Sequence, residues 1–265
     1  MATFHEQAAK GDASALTTLL AADPDALNSV DADGRTPLHW AAANGHAGAM
    51  ELLLAASPDS AGNACDVDHQ DEGGWTALMS AVSAGHEGAV ALLLAAGASP
   101  RIANKLAQAP LHFHRGRADM VAALLGSAAA SASAASAASA ASGADADADA
   151  DAEPLDVNAQ DKHGATALHR ACRPKAGVEA AEALLRAGAM VGVRDCNGNS
   201  ALHLACEACC EALVPVLAAA AATQARAAGG AGKLSLLAEP NTDGQTPLDY
   251  CHTELADKLK DEYLM

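Results

Sequence analysis

Four histidines, His39, His112, His169 and His203, each close a four-residue run: Thr36-Pro37-Leu38-His39, Ala109-Pro110-Leu111-His112, Thr166-Ala167-Leu168-His169 and Ser200-Ala201-Leu202-His203. Imidazole suits acid–base chemistry near neutral pH, but a catalytic histidine has no reason to be periodic. Recurring with the run, these rings are expected to bridge neighbouring turns by hydrogen bonds. Cys206, Cys209 and Cys210, with His203 a helical turn away, have the donor types of a zinc site. Cys206 falls at a small helix position, however, and no second Cys-x-x-Cys knuckle exists, so no metal is expected. Gly232-Lys233 ends like a phosphate loop, but Ala227 and Leu234 stand where the pattern needs Gly and Ser or Thr. Seven cysteines at irregular spacing, behind a start Met1-Ala2-Thr3-Phe4-His5-Glu6 without an export signal, are expected to be reduced thiols. No catalytic, cofactor or metal residue emerges, and the chain is not expected to be an enzyme.

The elements that position these residues repeat. The same run appears as Thr76-Ala77-Leu78-Met79 and Thr246-Pro247-Leu248-Asp249, making six copies, with 33 residues from Thr76 to Ala109 and 34 from Thr166 to Ser200. That period and pattern resemble the ankyrin repeat. In the stretch from Asp31 to Leu54, Gly34 permits a tight turn, Thr36 can cap a helix and Pro37 suits its first position. Leu38, Ala41 and Ala42 recur at helical spacing and face inward, the alanines letting helices approach closely. Gly45 ends this helix, and Leu52, Leu53 and Leu54 lie on an antiparallel second one, contributing roughly 1.5 to 3 kcal/mol each when buried. One unit alone leaves its apolar face wet, so units must stack.

The expectation is an all-α ankyrin-repeat solenoid of about seven helix-turn-helix units with protruding hairpin turns, forming a single domain over residues 1–265. Residues 3–30 read as an opening cap, 31–126 and 155–222 as repeats, and 239–265 as a terminal unit with a polar outer helix. The third inner helix is about two residues short between His112 and Gly116, which marks a locally weak repeat. Insertions at 57–68, 127–154 and 223–238 are expected to be flexible; the middle one, a Ser/Ala tract leading to Asp145, Asp147, Asp149, Asp151 and Glu153, also has the composition of an acidic interaction tail. A formal net charge of −17 argues against a nucleic-acid partner and for a basic protein surface. No apolar run is long enough to span a membrane, and the protein is expected to be soluble, in the cytoplasm and nucleus.

A recognition surface is what remains. Hairpin tips and inner helices carry Asp33, Arg35, Trp40, Glu72, Trp75, Arg115, Arg170, Asn197, Asn199 and Glu207, and tryptophan and arginine are enriched at binding hot spots. Packing of Trp40 and Trp75 between repeats stands as the alternative. The order of Arg35-Thr36-Pro37-Leu38-His39-Trp40-Ala41, Gly74-Trp75-Thr76-Ala77-Leu78, Ala165-Thr166-Ala167-Leu168-His169-Arg170-Ala171 and Asn199-Ser200-Ala201-Leu202-His203-Leu204-Ala205-Cys206 resembles the gankyrin family, assembly chaperones of the proteasome regulatory particle. The resemblance covers nearly the whole chain apart from the insertions. It implies a monomer whose concave, mixed-charge face binds the C-terminal domain of a proteasomal base ATPase subunit. Arg35 would then pair with a partner carboxylate, and Asp33, Asp71 and Glu72 with partner arginines. The short third repeat leaves only Arg115 near the family's basic contact there. Leu204-Ala205-Cys206-Glu207-Ala208 lacks the final Glu of the retinoblastoma-pocket motif found in mammalian members, and that activity is not expected. A generic ankyrin adaptor with another protein target is the alternative.

Overall fold

The computed structural model describes residues 3–56, 64–128, 155–173, 177–227, 235–251 and 253–263. Residues 57–63, the acidic tract within 129–154, and 228–234 lie outside the described residues, and with them most of the three expected insertions. The described edges of those insertions are held in place. The Asn28 side chain donates to the Ala64 carbonyl at 2.8 Å and accepts from the Asp66 amide at 2.9 Å. Residues 223–227 continue a helix instead of leaving it, because Gln224 reaches back to the Ala189 carbonyl and the Val191 amide.

Every described element is helical. The chain divides into two compact units, 1–113 with 122–155, and 114–121 with 156–265, so the helix α7 (118–128) carries the boundary. In the first unit the inner row is α1 (Phe4–Lys10), α3 (Pro37–Ala43), α5 (Ala77–Ala84) and a single 3-10 turn, Pro110–Phe113. The outer row is α2 (Ala13–Ala22), α4 (Ala47–Ala55) and α6 (Glu87–Ala95). In the second unit α8 (Ala167–Ala171), α10 (Ala201–Glu207) and α12 (Pro247–Tyr250) form the inner row, and α9 (Val178–Arg186), α11 (Leu213–Ala227) and α13 (Thr253–Tyr263) the outer one.

The inner helices start where the tetrapeptide places them. Leu38, Ala41, Ala42, Leu78, Ala81, Leu168, Ala171, Leu202 and Ala205 are all buried, giving each row a floor of leucine and alanine. The leucine triplets of α4 and α6 behave differently from the expectation. Only the middle residues, Leu53 and Leu93, are fully buried, while Leu52, Leu54, Leu92 and Leu94 are half-buried. A 100° step per residue cannot put three neighbours on one face. The deletion in the third repeat leaves the four-residue 3-10 turn where α3 has seven residues.

Each inner helix after α1, and the 3-10 turn with them, is preceded by a hairpin built on one side chain. Asp31 Oδ1 accepts the amides of Asp33 and Arg35, both at 2.9 Å. Asp71, Asn104, Asp161, Asp195 and Asn241 repeat this with the amides two and four residues on. The turn donors are thereby satisfied without a sheet. Successive tips are then joined, Glu72 N to Asp33 O at 3.0 Å and Lys105 N to Gly73 O at 3.0 Å in the first unit. In the second unit Cys196 N donates to His163 O at 2.8 Å and Thr242 N to Asn197 O at 3.1 Å. Gly74 shows how close the tips approach: it has φ +79°, and a Cβ there would lie 2.8 Å from Lys105 N.

Candidate functional site

Three of the four periodic histidines, His39, His169 and His203, bridge turns as their spacing predicts, and His112 Nδ1 accepts the Ala109 amide of its own turn at 3.1 Å. His39 Nδ1 accepts the Thr36 amide at 3.2 Å, and its Nε2 lies 3.0 Å from the Trp75 carbonyl of the next hairpin. His169 and His203 do the same, onto the carbonyls of Asn199 at 3.1 Å and Gln245 at 3.2 Å. A carbonyl can only accept, so in all three rings Nε2 carries the proton and Nδ1 is bare. Burial pushes all three below the ordinary histidine pKa, outweighing the carbonyls that favour the protonated ring. They are neutral crosslinks, with neither nitrogen left for acid–base work. His203 is likewise committed on both nitrogens, and among the described residues no group of three His, Cys, Asp or Glu side chains could hold a metal ion.

Four of the residues singled out by sequence meet in the first unit. Arg35, Trp40, Asp71 and Trp75 line a groove of about 300 Å³ with His39, Ala43, Ser80, Ser83 and Ala84. The lining sets the two indoles against small residues of α3 and α5, Ala43, Ser80, Ser83 and Ala84. The Arg35 guanidinium lies over Trp40, 5.3 Å from its ring centre, with Nε 3.4 Å from Asp71 Oδ2 and Nη1 4.0 Å from Asp33 Oδ2. Its side chain remains 41% exposed, enough to reach a partner. Asp71 does not: its side chain is 7% exposed, and its oxygens serve the Gly73 and Trp75 amides and Arg35. Asp33, 68% exposed, and the exposed Glu72 are the acids that face solvent at the rim.

Trp40 and Trp75 are partly packed and partly open. The Trp40 indole donates to Asp31 Oδ2 at 2.8 Å, and Trp75 packs on Phe113 with ring centres 4.6 Å apart. Hydrogen bonds from the Arg35 amide, the Trp40 indole and the Asp33 amide hold the Asp31 carboxyl below its usual pKa against the opposing effect of burial. On the far side of Trp40 lies a second hollow of about 490 Å³, lined by Thr3, His5, Glu6, Ala9, Val30 and Asp31. Val30 is 52% exposed there. Trp40 is thus the partition between two adjoining hollows.

Sequence reasoning did not select Ser80, Ser83, Val30, His5 or Glu6. A signal for Ser80 existed: Trp40 and Arg170 each stand nine residues after their turn carboxylate, and Ser80 occupies the same register after Asp71.

The remaining candidates belong to the second unit and do not converge. Arg170 Nη2 lies 2.6 Å from Asp161 Oδ2, whose side chain is fully buried, so this arginine closes its own hairpin. Asn199 receives the Asn241 side-chain amide at 2.8 Å, and the Asn197 carbonyl accepts the Thr242 hydroxyl at 2.7 Å. Glu207 is exposed at the end of α10, and Arg115 is exposed at a left-handed position with φ 52°.

Comparison with known proteins places this architecture. The sequence profile for ankyrin repeats (3 copies) matches residues 4–104 and 104–227, and the chain belongs to the ankyrin-repeat family. The crystal structure of the human ASB11 ankyrin repeat domain is similar with a TM-score of 0.65 at 22% identity, over 98% of this chain and 96% of that one. A chain in the structure of the Bd0816 predatory endopeptidase from Bdellovibrio bacteriovorus in complex with immunity protein Bd3460 is similar with a TM-score of 0.62 at 22% identity, over 83% of this chain and 98% of that one. At that identity both likenesses concern the fold. No curated protein sequence matches the chain. As an array of ankyrin repeats the protein is a protein-binding module.

Proposed function

We propose that the chain is a non-enzymatic protein-binding module that seats a basic segment of its partner against the paired hollows of the first unit. The observation that carries this reading is the groove itself, which two indoles and a half-exposed Arg35 line, with the solvent-facing Asp33 carboxylate beside Arg35 and the exposed Glu72 on the adjoining tip. Indole walls accept the aliphatic stem of a lysine or arginine, and the acidic rim meets its head. Arg35, 41% exposed at the rim, answers a partner carboxylate. Following the gankyrin resemblance, that partner is the C-terminal domain of a proteasomal base ATPase, which the protein would escort in the cytoplasm and nucleus during regulatory-particle assembly.

The test is affinity capture of the tagged chain from its own cell extract at low and moderate salt, with the bound proteins identified by mass spectrometry. Enrichment of one base ATPase with its neighbours supports the chaperone reading. A reproducible set of other proteins without proteasome subunits would replace it by an adaptor role. In either case Arg35→Glu and Trp40→Ala should weaken capture on the order of tenfold or more, as truncated hot-spot residues do. Capture unchanged in both variants would remove the groove from the binding surface. Raised salt should also weaken capture, because partly exposed ion pairs are screened.

A further inference from the structure

In the second unit, Cys206 and Cys251 are 45 residues apart in sequence and 2.8 Å apart between sulfurs. That separation falls between a bonded pair, at about 2.05 Å, and ordinary non-bonded sulfurs. Cys206 is 2% exposed near the end of α10, and Cys251 is the half-buried residue that ends α12, which packs on α10. The nearby thiols are turned elsewhere: Cys172 Sγ toward the Leu168 carbonyl at 3.2 Å, Cys209 Sγ toward Glu207 at 3.9 Å and Cys210 Sγ toward Ala208 at 3.7 Å. Among the described thiols, this is the pair whose sulfurs are hydrogen-bonded to each other. It also joins the shortest α-helix of the inner row among the described residues, since α12 has four residues where α10 has seven.

We propose that Cys206 and Cys251 are an oxidation site for a small disulfide such as oxidised glutathione, which converts them to an intramolecular disulfide tying the terminal repeat to its neighbour. Cys251, the more accessible thiol, loses its proton to solvent and attacks one sulfur of the small disulfide. A protein–glutathione mixed disulfide forms and one glutathione thiolate leaves. The Cys206 thiol, deprotonated in turn, attacks the Cys251 sulfur and expels the second glutathione. Two protein thiols are oxidised and one glutathione disulfide is reduced to two thiols, so electrons and protons balance. Burial raises both protein thiols above the ordinary cysteine pKa, while the hydrogen bond between them favours the Cys251 thiolate and disfavours that of Cys206. That order matches the accessible residue acting first, and it makes the reaction slow at neutral pH.

The experiment incubates the full chain with oxidised glutathione, quenches in acid, alkylates free thiols and maps disulfides by tandem mass spectrometry. Digestion after Glu207 separates Cys206 from Cys209 and Cys210. The expected result is a dominant Cys206–Cys251 link, absent in Cys206→Ala and in Cys251→Ala, with a Tm several degrees above that of the reduced chain and restored by dithiothreitol. Alanine fits the small position of Cys206, and circular dichroism of both variants checks that the fold persists. Linkage of Cys251 to Cys209 or Cys210 would overturn the proposal, as would recovery of Cys206 and Cys251 only as alkylated thiols or glutathione adducts. A Cys206–Cys251 link with no change in Tm would overturn it too, since the bond would then tie nothing down.

Discussion

In the first unit the turn carboxylate of Asp31 gives its second oxygen to the indole of Trp40, whereas in the second unit that of Asp161 is closed over by Arg170. The hairpins are otherwise built alike, with one carboxylate oxygen on two backbone amides. The residue nine positions further on decides what the surface becomes. An indole anchored by its N–H keeps its face free and walls two hollows. A guanidinium folded onto a buried carboxylate satisfies the hairpin and offers the partner little. Recognition and stability thus compete for one register position, and these two hairpins resolve the competition oppositely.

The sharpest way to break this contrast is to remove the acids themselves. Asp161→Ala leaves two turn amides without an acceptor and Arg170 without its ion, and should cost about 3 kcal/mol. Asp31→Ala strands two amides and a half-exposed indole, and should cost about 1 to 2 kcal/mol. Urea denaturation of both variants decides the matter, and equal losses would refute the idea that the second unit relies more on its turn acid. Asp161→Asn should recover much of the loss, because Asn104 and Asn241 already hold their turns through an amide oxygen.

Gly74→Ala tests the tip-to-tip contact of the first unit. A left-handed backbone and a Cβ 2.8 Å from Lys105 N both oppose alanine, and a loss of about 2 kcal/mol is expected. Gly88→Ala, inside α6 with open space around it, should instead stabilise by up to about 1 kcal/mol. A neutral Gly74→Ala would mean that the tips separate easily.

Both units carry the histidine crosslink, so acid should weaken both. The folded pKa values of His39, His169 and His203 are depressed, so the unfolded chain takes up protons first as pH falls. Their stabilisation is complete above the unfolded value of about 6.5 and is lost as pH falls through the lower folded values. Urea midpoints should therefore be lower at pH 5.5 than at pH 8. The second full repeat is the internal control, because Met79 stands at the histidine position and Thr76 Oγ1 caps its amide directly at 3.3 Å. A higher midpoint at pH 5.5 would rule out neutral crosslinks.

Much of this was legible in the sequence because the features are local and periodic. Thr36-Pro37-Leu38-His39 marks a helix start, the buried alanines follow at helical spacing, and the histidine bridges follow from recurrence alone. The inward turn of Asp71 was not legible. Its pairing with Arg35 joins residues 36 apart, and only the stacking of two hairpins reveals that a charge expected to meet a partner is already used. Trp40 and Trp75 are equivalent as aromatics in the sequence, yet one lies on an inner helix and the other in a hairpin, and they share a groove only after α3 and α5 pack. The leucine triplets misled for the opposite reason: composition showed apolar residues but not which of three neighbours faces the core.

The smallest expected effect sharpens the comparison most. Trp40→Phe removes the indole N–H from Asp31 Oδ2 but keeps an aromatic partition between the hollows. Asp31 retains its two backbone amides and reaches solvent, so the stability loss should stay below about 1 kcal/mol. Without its anchor the ring is free to rotate, and an unanchored wall must be ordered again when a partner docks. Partner capture should then weaken by a few-fold, less than for Trp40→Ala but more than the stability change alone predicts. Capture equal to that of the native chain would show that the apolar face of Trp40 suffices and that its hydrogen bond serves the hairpin alone. Capture as poor as in Trp40→Ala would show that the position of the ring, fixed by Asp31, is what the partner reads.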